Sequence, residues 1–121
     1  MTGIYRYGYI RLVATEATTW TALADPHRRA MLELLRERPR AVGELVALTG
    51  LTQPGTSKHL RVLREAGLVS SRAEAQRRVY ALEVRPLVDL DAWLEPYRRS
   101  WERSLDALER HLDRMNPKEE K

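Results

Sequence analysis

A mostly helical α+β fold is predicted by three features of the 121-residue chain. Apolar residues recur at helical spacing through most of its length. Two short runs with β-branched and aromatic residues, 68–72 and 77–82, interrupt that pattern after the midpoint. A long apolar stripe follows, with Leu87, Leu90, Leu94, Tyr97, Trp101, Leu105, Leu108, Leu112 and Met115 in steps of three and four.

Composition narrows the class. Hydrophobic residues at 43% and charged residues at 31% suit one soluble domain with a modest core and exclude general disorder. The chain has no cysteine, which excludes disulfides and thiolate chemistry. No apolar run approaches a membrane span, so no membrane partner is expected. Residues 1–10 are aromatic but broken by polar residues and lack the core of a signal peptide; a cytoplasmic location is expected.

The elements can be justified in order. Residues 1–14 fit a strand, a helix or a flexible arm equally well, and the residues leave that choice open. A first helix is expected over residues 15–24, with Ala17, Trp20 and Leu23 as its stripe. Asp25-Pro26 restarts the chain as an N-cap acid followed by a first-turn proline. The helix from there to about Arg38 should bury Ala30, Met31, Leu34 and Leu35 and turn Arg28, Arg29, Glu33, Arg36 and Glu37 outward; Pro39 ends it. A third helix is expected over residues 41–49, with Val42, Leu45, Val46 and Leu48 apolar and Gly50 as its stop.

A fourth helix covers about 52–66. Thr52 is its N-cap, Pro54 is tolerated in the first turn, and Gly67 supplies a left-handed stop. Thr56, Leu60 and Leu63 make a narrow inward stripe. Gln53, Ser57, Lys58, Arg61 and Arg64 lie on the opposite face, with His59 at its flank. Two short helices joined by a tight glycine-containing turn form a helix-turn-helix. The two β-like runs then read as a hairpin around residues 73–76 with arginines at its tip, which must lean on the helices to be stable.

A helix-turn-helix followed by a basic hairpin is the layout of a winged helix. The predicted architecture is therefore a single domain over 15–115, with a recognition helix at about 52–66 and a two-stranded wing at about 68–82. Long C-terminal helical structure follows at about 85–115, then a polar tail at 116–121. Pro96 is expected to kink or divide that last helix, a second segment starting near Glu95-Pro96. One small domain has too little core to cover the apolar stripe, so a second copy of the chain is expected to cover it.

Charge points to the partner. The net charge is +4 and the pI near 9.8. Residues 53–78 hold six bases (Lys58, Arg61, Arg64, Arg72, Arg77, Arg78) against Glu65 and Glu74, a footprint suited to a polyanion. A helix anchored on one side and lined with donors on the other fits the acceptor-rich major groove of double-stranded DNA.

These residues also resemble a known family. Residues 23–35, LADPHRRAMLELL, are similar to the LADPTRRAILELL segment of ArsR-type (ArsR/SmtB) bacterial repressors. Residues 42–45 resemble its VGEL, 53–60 its SQPAVSKHL and 62–69 its VLREAGLV, while 93–101 resemble a branch lacking the usual metal sites. The resemblance spans about residues 20–112. It implies a dimeric winged-helix repressor, paired through its first and last helices. For such a dimer a near-palindromic operator and a nucleoid-associated place in the cytoplasm are expected.

The dimer interface so implied holds Trp20, Leu90, Trp93, Leu94, Tyr97, Trp101, Leu105 and Leu108. Gln53, Ser57, Lys58 and His59 would approach the major groove, with Pro54, Gly55 and Arg61 on the same surface. Arg72, Arg77 and Arg78 would reach phosphates or the minor groove. Three departures stand out. Gly55 replaces a usual alanine, which weakens the helix by roughly 0.5–1 kcal/mol or lets the backbone approach DNA. Thr56 replaces a usual valine, so its hydroxyl needs an acceptor such as the carbonyl one turn back. The wing tip lacks the usual glycine.

No metal or cofactor is expected. His27, His59 and His111 are far apart, with no HxxxH pair. Ala41 stands near where a metal-sensing relative has cysteine, and Val84-Arg85-Pro86 carries no Asp/His pair. No catalytic motif occurs, and Ser57 and His59 diverge by about 200° on a helix, so an enzyme is not expected. Two alternatives remain beside the DNA-binding reading. One is a winged-helix protein-interaction module anchored by Trp93, Tyr97 and Trp101. The other is an effector or metal sensor with an unconventional site, such as His111 with Glu109 or Asp113 across a dimer. A small-molecule effector is left open.

Overall fold

Local capping decides where the helices of this chain begin and end. The computed structural model describes residues 18–115; the arm at 1–14, the start of the first helix and the tail at 116–121 lie outside the described residues. Helix α1 is seen over residues 18–23, with Thr19 and Ala22 buried. Asp25 then takes an extended conformation, and its carboxylate accepts from the backbone N–H groups of His27 (2.7 Å) and Arg28 (3.4 Å). With Pro26 in the first turn, this opens helix α2, Pro26–Glu37.

Helix α2 buries Met31, Leu32 and Leu35, whereas Ala30 is exposed and Leu34 half-buried. The buried face is therefore turned from the one expected. The apolar arc from Ala30 to Leu35 is wide enough to present either edge, and rotation toward Leu32 buries the larger side chain.

Strand β1, Arg40–Ala41, leads directly into helix α3, Val42–Thr49. Gly50 ends α3 at φ +73°, its N–H donating to the Val46 carbonyl at 2.9 Å. Helix α4, Gln53–Glu65, starts from Thr52, whose hydroxyl accepts from Gly55 N–H at 3.1 Å. It closes with two crossed bonds, Gly67 N–H to Arg64 C=O and Leu68 N–H to Leu63 C=O, both 2.9 Å, with Gly67 at φ +74°. That Schellman pattern pulls Leu68 into the core, where it is fully buried.

Strands β2, Val69–Glu74, and β3, Arg77–Leu82, pair antiparallel from Val69↔Leu82 to Glu74↔Arg77. The expected two-stranded wing gains a third strand: β1 pairs with β3 (Arg40↔Tyr80, Ala41↔Val79), giving the order β1-β3-β2. Two residues abutting a helix are too few to show an alternation, so sequence pattern could not reveal β1. The hairpin turn is Ala75-Gln76, with Ala75 at φ +57°. Without glycine there, the left-handed conformation costs roughly 1–2 kcal/mol.

Helix α5 runs unbroken from Arg85 to Met115 with Pro96 inside it, so of the two expected outcomes, a kink or a division, the division at Glu95-Pro96 does not occur. Proline removes one hydrogen bond to the preceding turn, but long helical sequence on both sides favours continuation. Arg98 ties the turn before the proline, donating to the side chains of Asp91 and Glu95 and to the Asp91 carbonyl at 3.2 Å.

The chain forms two compact units, one ending at Leu90 and one beginning at Asp91. The first is built on Met31, Leu35, Leu45, Leu60, Leu63 and Leu68. The second is the remainder of α5, and no residue of α5 is buried in the single chain.

Thr56 departs from expectation. It is fully buried, yet its Oγ1 finds no hydrogen-bond partner, neither the carbonyl one turn back nor any other. An orphaned buried hydroxyl costs roughly 1–3 kcal/mol. Thr56→Val, which keeps the shape and removes the hydroxyl, should therefore raise unfolding free energy by about 1 kcal/mol or more in urea denaturation; a less stable variant would contradict this account. Ala75→Gly should add a further gain of about 1 kcal/mol by relieving the left-handed alanine, read as a rise in melting temperature.

Candidate nucleic-acid interface

Helix α4 is anchored by Leu60 and Leu63, both fully buried, and this sets what its other side presents. Gln53, Pro54, Ser57, Lys58, Arg61 and Arg64 are exposed, while Gly55 and His59 are half-buried. Gly55 has a local reason. A Cβ there would sit 3.0 Å from Thr52 Oγ1, the cap atom that Gly55 N–H itself bonds. Glycine gives up helix propensity and leaves the cap uncrowded.

The structure brings part of the expected reading surface together. A polar groove of about 410 Å³ is lined by Gln53 and Ser57 of α4, residues 41–43 at the start of α3, and Gln76, Arg77, Arg78 and Tyr80 of the wing. Gln53 and Ser57 thus face Arg77 and Arg78 across one concavity. Arg72 and Arg77 share one carboxylate at the wing tip: Arg72 donates to Glu74 at 3.2 Å and Arg77 lies 3.8 Å from it. These pairs are exposed and weakly bound, so either arginine can exchange Glu74 for another anion at little cost. Arg78 instead donates to Ser71 Oγ at 3.1 Å, as does Arg64 at 3.2 Å.

His59 is placed differently from the exposed members of the face. Its Nδ1 accepts from Arg28 Nη1 at 3.4 Å, and its ring centre lies 5.9 Å from that of His27. Arg28, expected to face outward, is instead a junction. It donates to the carbonyls of Ala22 (2.7 Å) and Thr21 (2.8 Å) at the end of α1 as well as to His59. Spacing gave no sign of this, since Arg28 and His59 stand 31 residues apart.

Two carboxylates are shifted by these networks. Burial pushes the Asp25 carboxyl up, but the N–H groups of His27 and Arg28 outweigh it and hold the group below its ordinary 3.8. Glu44 is held below its ordinary 4.5 by hydrogen bonds from Arg38 and from Ala41 N–H, which outweigh burial. A depressed folded-state pKa adds stability that is complete above the unfolded value and is lost as pH falls through the folded one.

The apolar stripe of α5 is open in the single chain. Leu90 and Leu94 are half-buried, whereas Trp93, Tyr97, Trp101, Leu105 and Leu108 are exposed, Trp101 by 59%. The Trp93 and Tyr97 rings lie with their centres 4.9 Å apart, tilted by 36°. Trp20 is 43% exposed. A second, mostly apolar concavity of about 430 Å³ is lined by Leu23, Ala30, Leu32, Leu82 and Leu87 together with Arg29, Glu33 and Arg36. Among the described residues no group of three or more His, Cys, Asp or Glu could hold a metal, and no helix is long and apolar enough to cross a membrane.

Helix-turn-helix, hairpin wing and long final helix together define a winged helix-turn-helix regulator. Known proteins agree and narrow the class. The model of the family "bacterial regulatory protein, arsR family" matches residues 25–71. The HTH-type transcriptional regulator Rv2034 of Mycobacterium tuberculosis is 42% identical over 94 residues, 78% of this chain and 85% of that protein. The crystal structure of an ArsR family transcriptional regulator, RHA00566, superposes with a TM-score of 0.67 at 31% identity, over 74% of this chain and 92% of that one. The homodimeric winged helix-turn-helix DNA-binding domain of Mb0332 from Mycobacterium bovis does so at 0.57 and 25% identity, over 91% and 90%. The chain belongs to the arsR family of bacterial regulatory proteins, whose members are transcriptional regulators and not enzymes.

Two stability predictions follow from these networks. Arg28→Ala should cost about 2–3 kcal/mol, because it strips charged donors from two carbonyls, while exposed Arg72→Ala should stay within about 0.5 kcal/mol, both measured by urea unfolding. On acidification below pH 4 the wild type should lose stability more steeply than Asp25→Asn, and parallel acid limbs would show that the cap carboxylate contributes nothing through its charge.

Proposed function

We propose that this chain is a homodimeric repressor that binds a near-palindromic operator in double-stranded DNA, in the cytoplasm and on the nucleoid. Each α4 enters a major groove, the two copies spaced about one duplex turn, ~34 Å. Gln53, Ser57, Lys58 and His59 read bases, with Pro54, Gly55 and Arg61 against the same groove. Arg72, Arg77 and Arg78 of the wing contact phosphates or the minor groove. Such a dimer seated over a promoter would block access to it.

The observation that carries this reading is the groove in which Gln53 and Ser57 face Arg77 and Arg78. Donors from two elements converge there on a space suited to a polyanion. Pairing is supported by the open stripe of α5 and by the similar Mycobacterium bovis Mb0332 domain, which is homodimeric. Trp20, Leu90, Trp93, Leu94, Tyr97, Trp101, Leu105 and Leu108 are proposed to meet a second copy. Residues 15–115 are proposed as the DNA-binding and dimerisation domain.

A gel shift on the duplex upstream of the protein's own gene tests the reading face. Lys58→Ala with Arg77→Ala should weaken binding by about tenfold or more, since base and phosphate contacts are lost together. Unchanged binding would count heavily against the assignment. Sedimentation should give twice the 14.0 kDa chain mass at micromolar concentration, and Trp101→Asp with Leu105→Asp should return the chain to a single copy.

A further inference from the structure

We propose that Arg64, Ser71 and Arg78 form a clamp for one DNA phosphodiester beside each recognition helix, with Arg64 a binding residue that the wing arginines do not replace. The proposal rests on the DNA-binding reading above and assigns it a particular phosphate site. Ser71 Oγ accepts from Arg64 Nη1 at 3.2 Å and from Arg78 Nη1 at 3.1 Å. A hydroxyl oxygen has two lone pairs, and here both meet cationic donors, so its own proton points elsewhere and needs an acceptor.

Neither guanidinium has a carboxylate within ion-pairing distance among the described residues. Arg72 and Arg77 on the same wing share Glu74, so the wing's acid is spent on the tip and not on this pair. Two cations drawn to one neutral oxygen repel each other, and a single anion would relieve both.

Placement chooses the anion. The pairings Ser71↔Tyr80 and Ala73↔Arg78 put Ser71 and Arg78 diagonally on one face of the hairpin. Gln53, Ser57 and Arg64 fall within about 40° of one another around α4, so Arg64 continues the stripe whose earlier members line the polar groove. Arg78 lines that groove as well as touching Ser71. The clamp therefore lies along the path a DNA strand would take past Gln53 and Ser57. A phosphodiester offers two non-bridging oxygens that share one negative charge, which suit two guanidinium forks and one hydroxyl donor.

The test uses the full-length protein and the duplex upstream of its own gene, with one phosphate at a time replaced by a neutral methylphosphonate. Fluorescence anisotropy should show wild type losing about tenfold in affinity at one position per half-site. Arg64→Gln and Arg78→Gln should each weaken binding to the native duplex and lose nothing further at that position. Each should also lower the slope of log affinity against log salt by about 0.9 while keeping the preference for this duplex over a scrambled one. Ser71→Ala should show a smaller loss of the same non-additive kind.

Additive losses would overturn the clamp. So would variants that melt earlier but bind with an unchanged salt slope, because Arg64 would then merely brace the wing. Failure of wild type to bind either duplex would sink the DNA-binding reading and the clamp with it, whereas binding with no loss at any single methylphosphonate position would overturn the clamp alone.

Discussion

Helix α4 can present a row of donors to a partner because its own backbone asks nothing of them. Thr52 satisfies an orphan N–H at one end, and the crossed bonds through Gly67 and Leu68 satisfy carbonyls at the other. Leu60 and Leu63 fix its rotation from within. With both ends closed and one side buried, the exposed side chains are held in place by elements they do not contribute to. Only a rigid support of this kind lets side chains discriminate partners at ångström scale. Thr56, buried without a partner, marks where that support carries a cost.

The arginines divide by what they touch. Arg40 is 8% exposed and donates to the Leu34 carbonyl and the Glu37 carboxylate, tying the end of α2 to the sheet. Arg28 closes α1 and braces His59. Arg38 holds Glu44 at the start of α3. Net charge alone therefore overstates what is available to a polyanion, since these three are engaged in the fold. Lys58, Arg61 and Arg64 on α4 are exposed, and it is their placement on one helix that gives the charge its direction.

Much of this was legible in the sequence because it is local. Asp25, Gly50, Thr52 and Gly67 act within a few residues of themselves, and each caps as its residue type predicts. The α5 stripe was legible because it is periodic. What escaped was either too short or too distant. Strand β1 is two residues long, and its partner Tyr80 lies 40 residues away in sequence. The bond from Arg28 to His59 joins elements that only tertiary packing brings together. Of the two outcomes that Pro96 allowed, a kink or a division, only the division is removed: an α-helix already running on both sides, strapped by Arg98, absorbs one missing hydrogen bond.

The central claim is that the outer face of α4, and not the aromatic stripe of α5, meets nucleic acid. The most direct measurement is a map of backbone amide chemical shifts as the promoter duplex is added to labelled protein. Large, saturable changes should gather on residues 53–64 and 71–78, with those around Trp93, Tyr97 and Trp101 small. Shifts confined to the α5 aromatics, with α4 unmoved, would contradict the account and favour a module that binds other proteins.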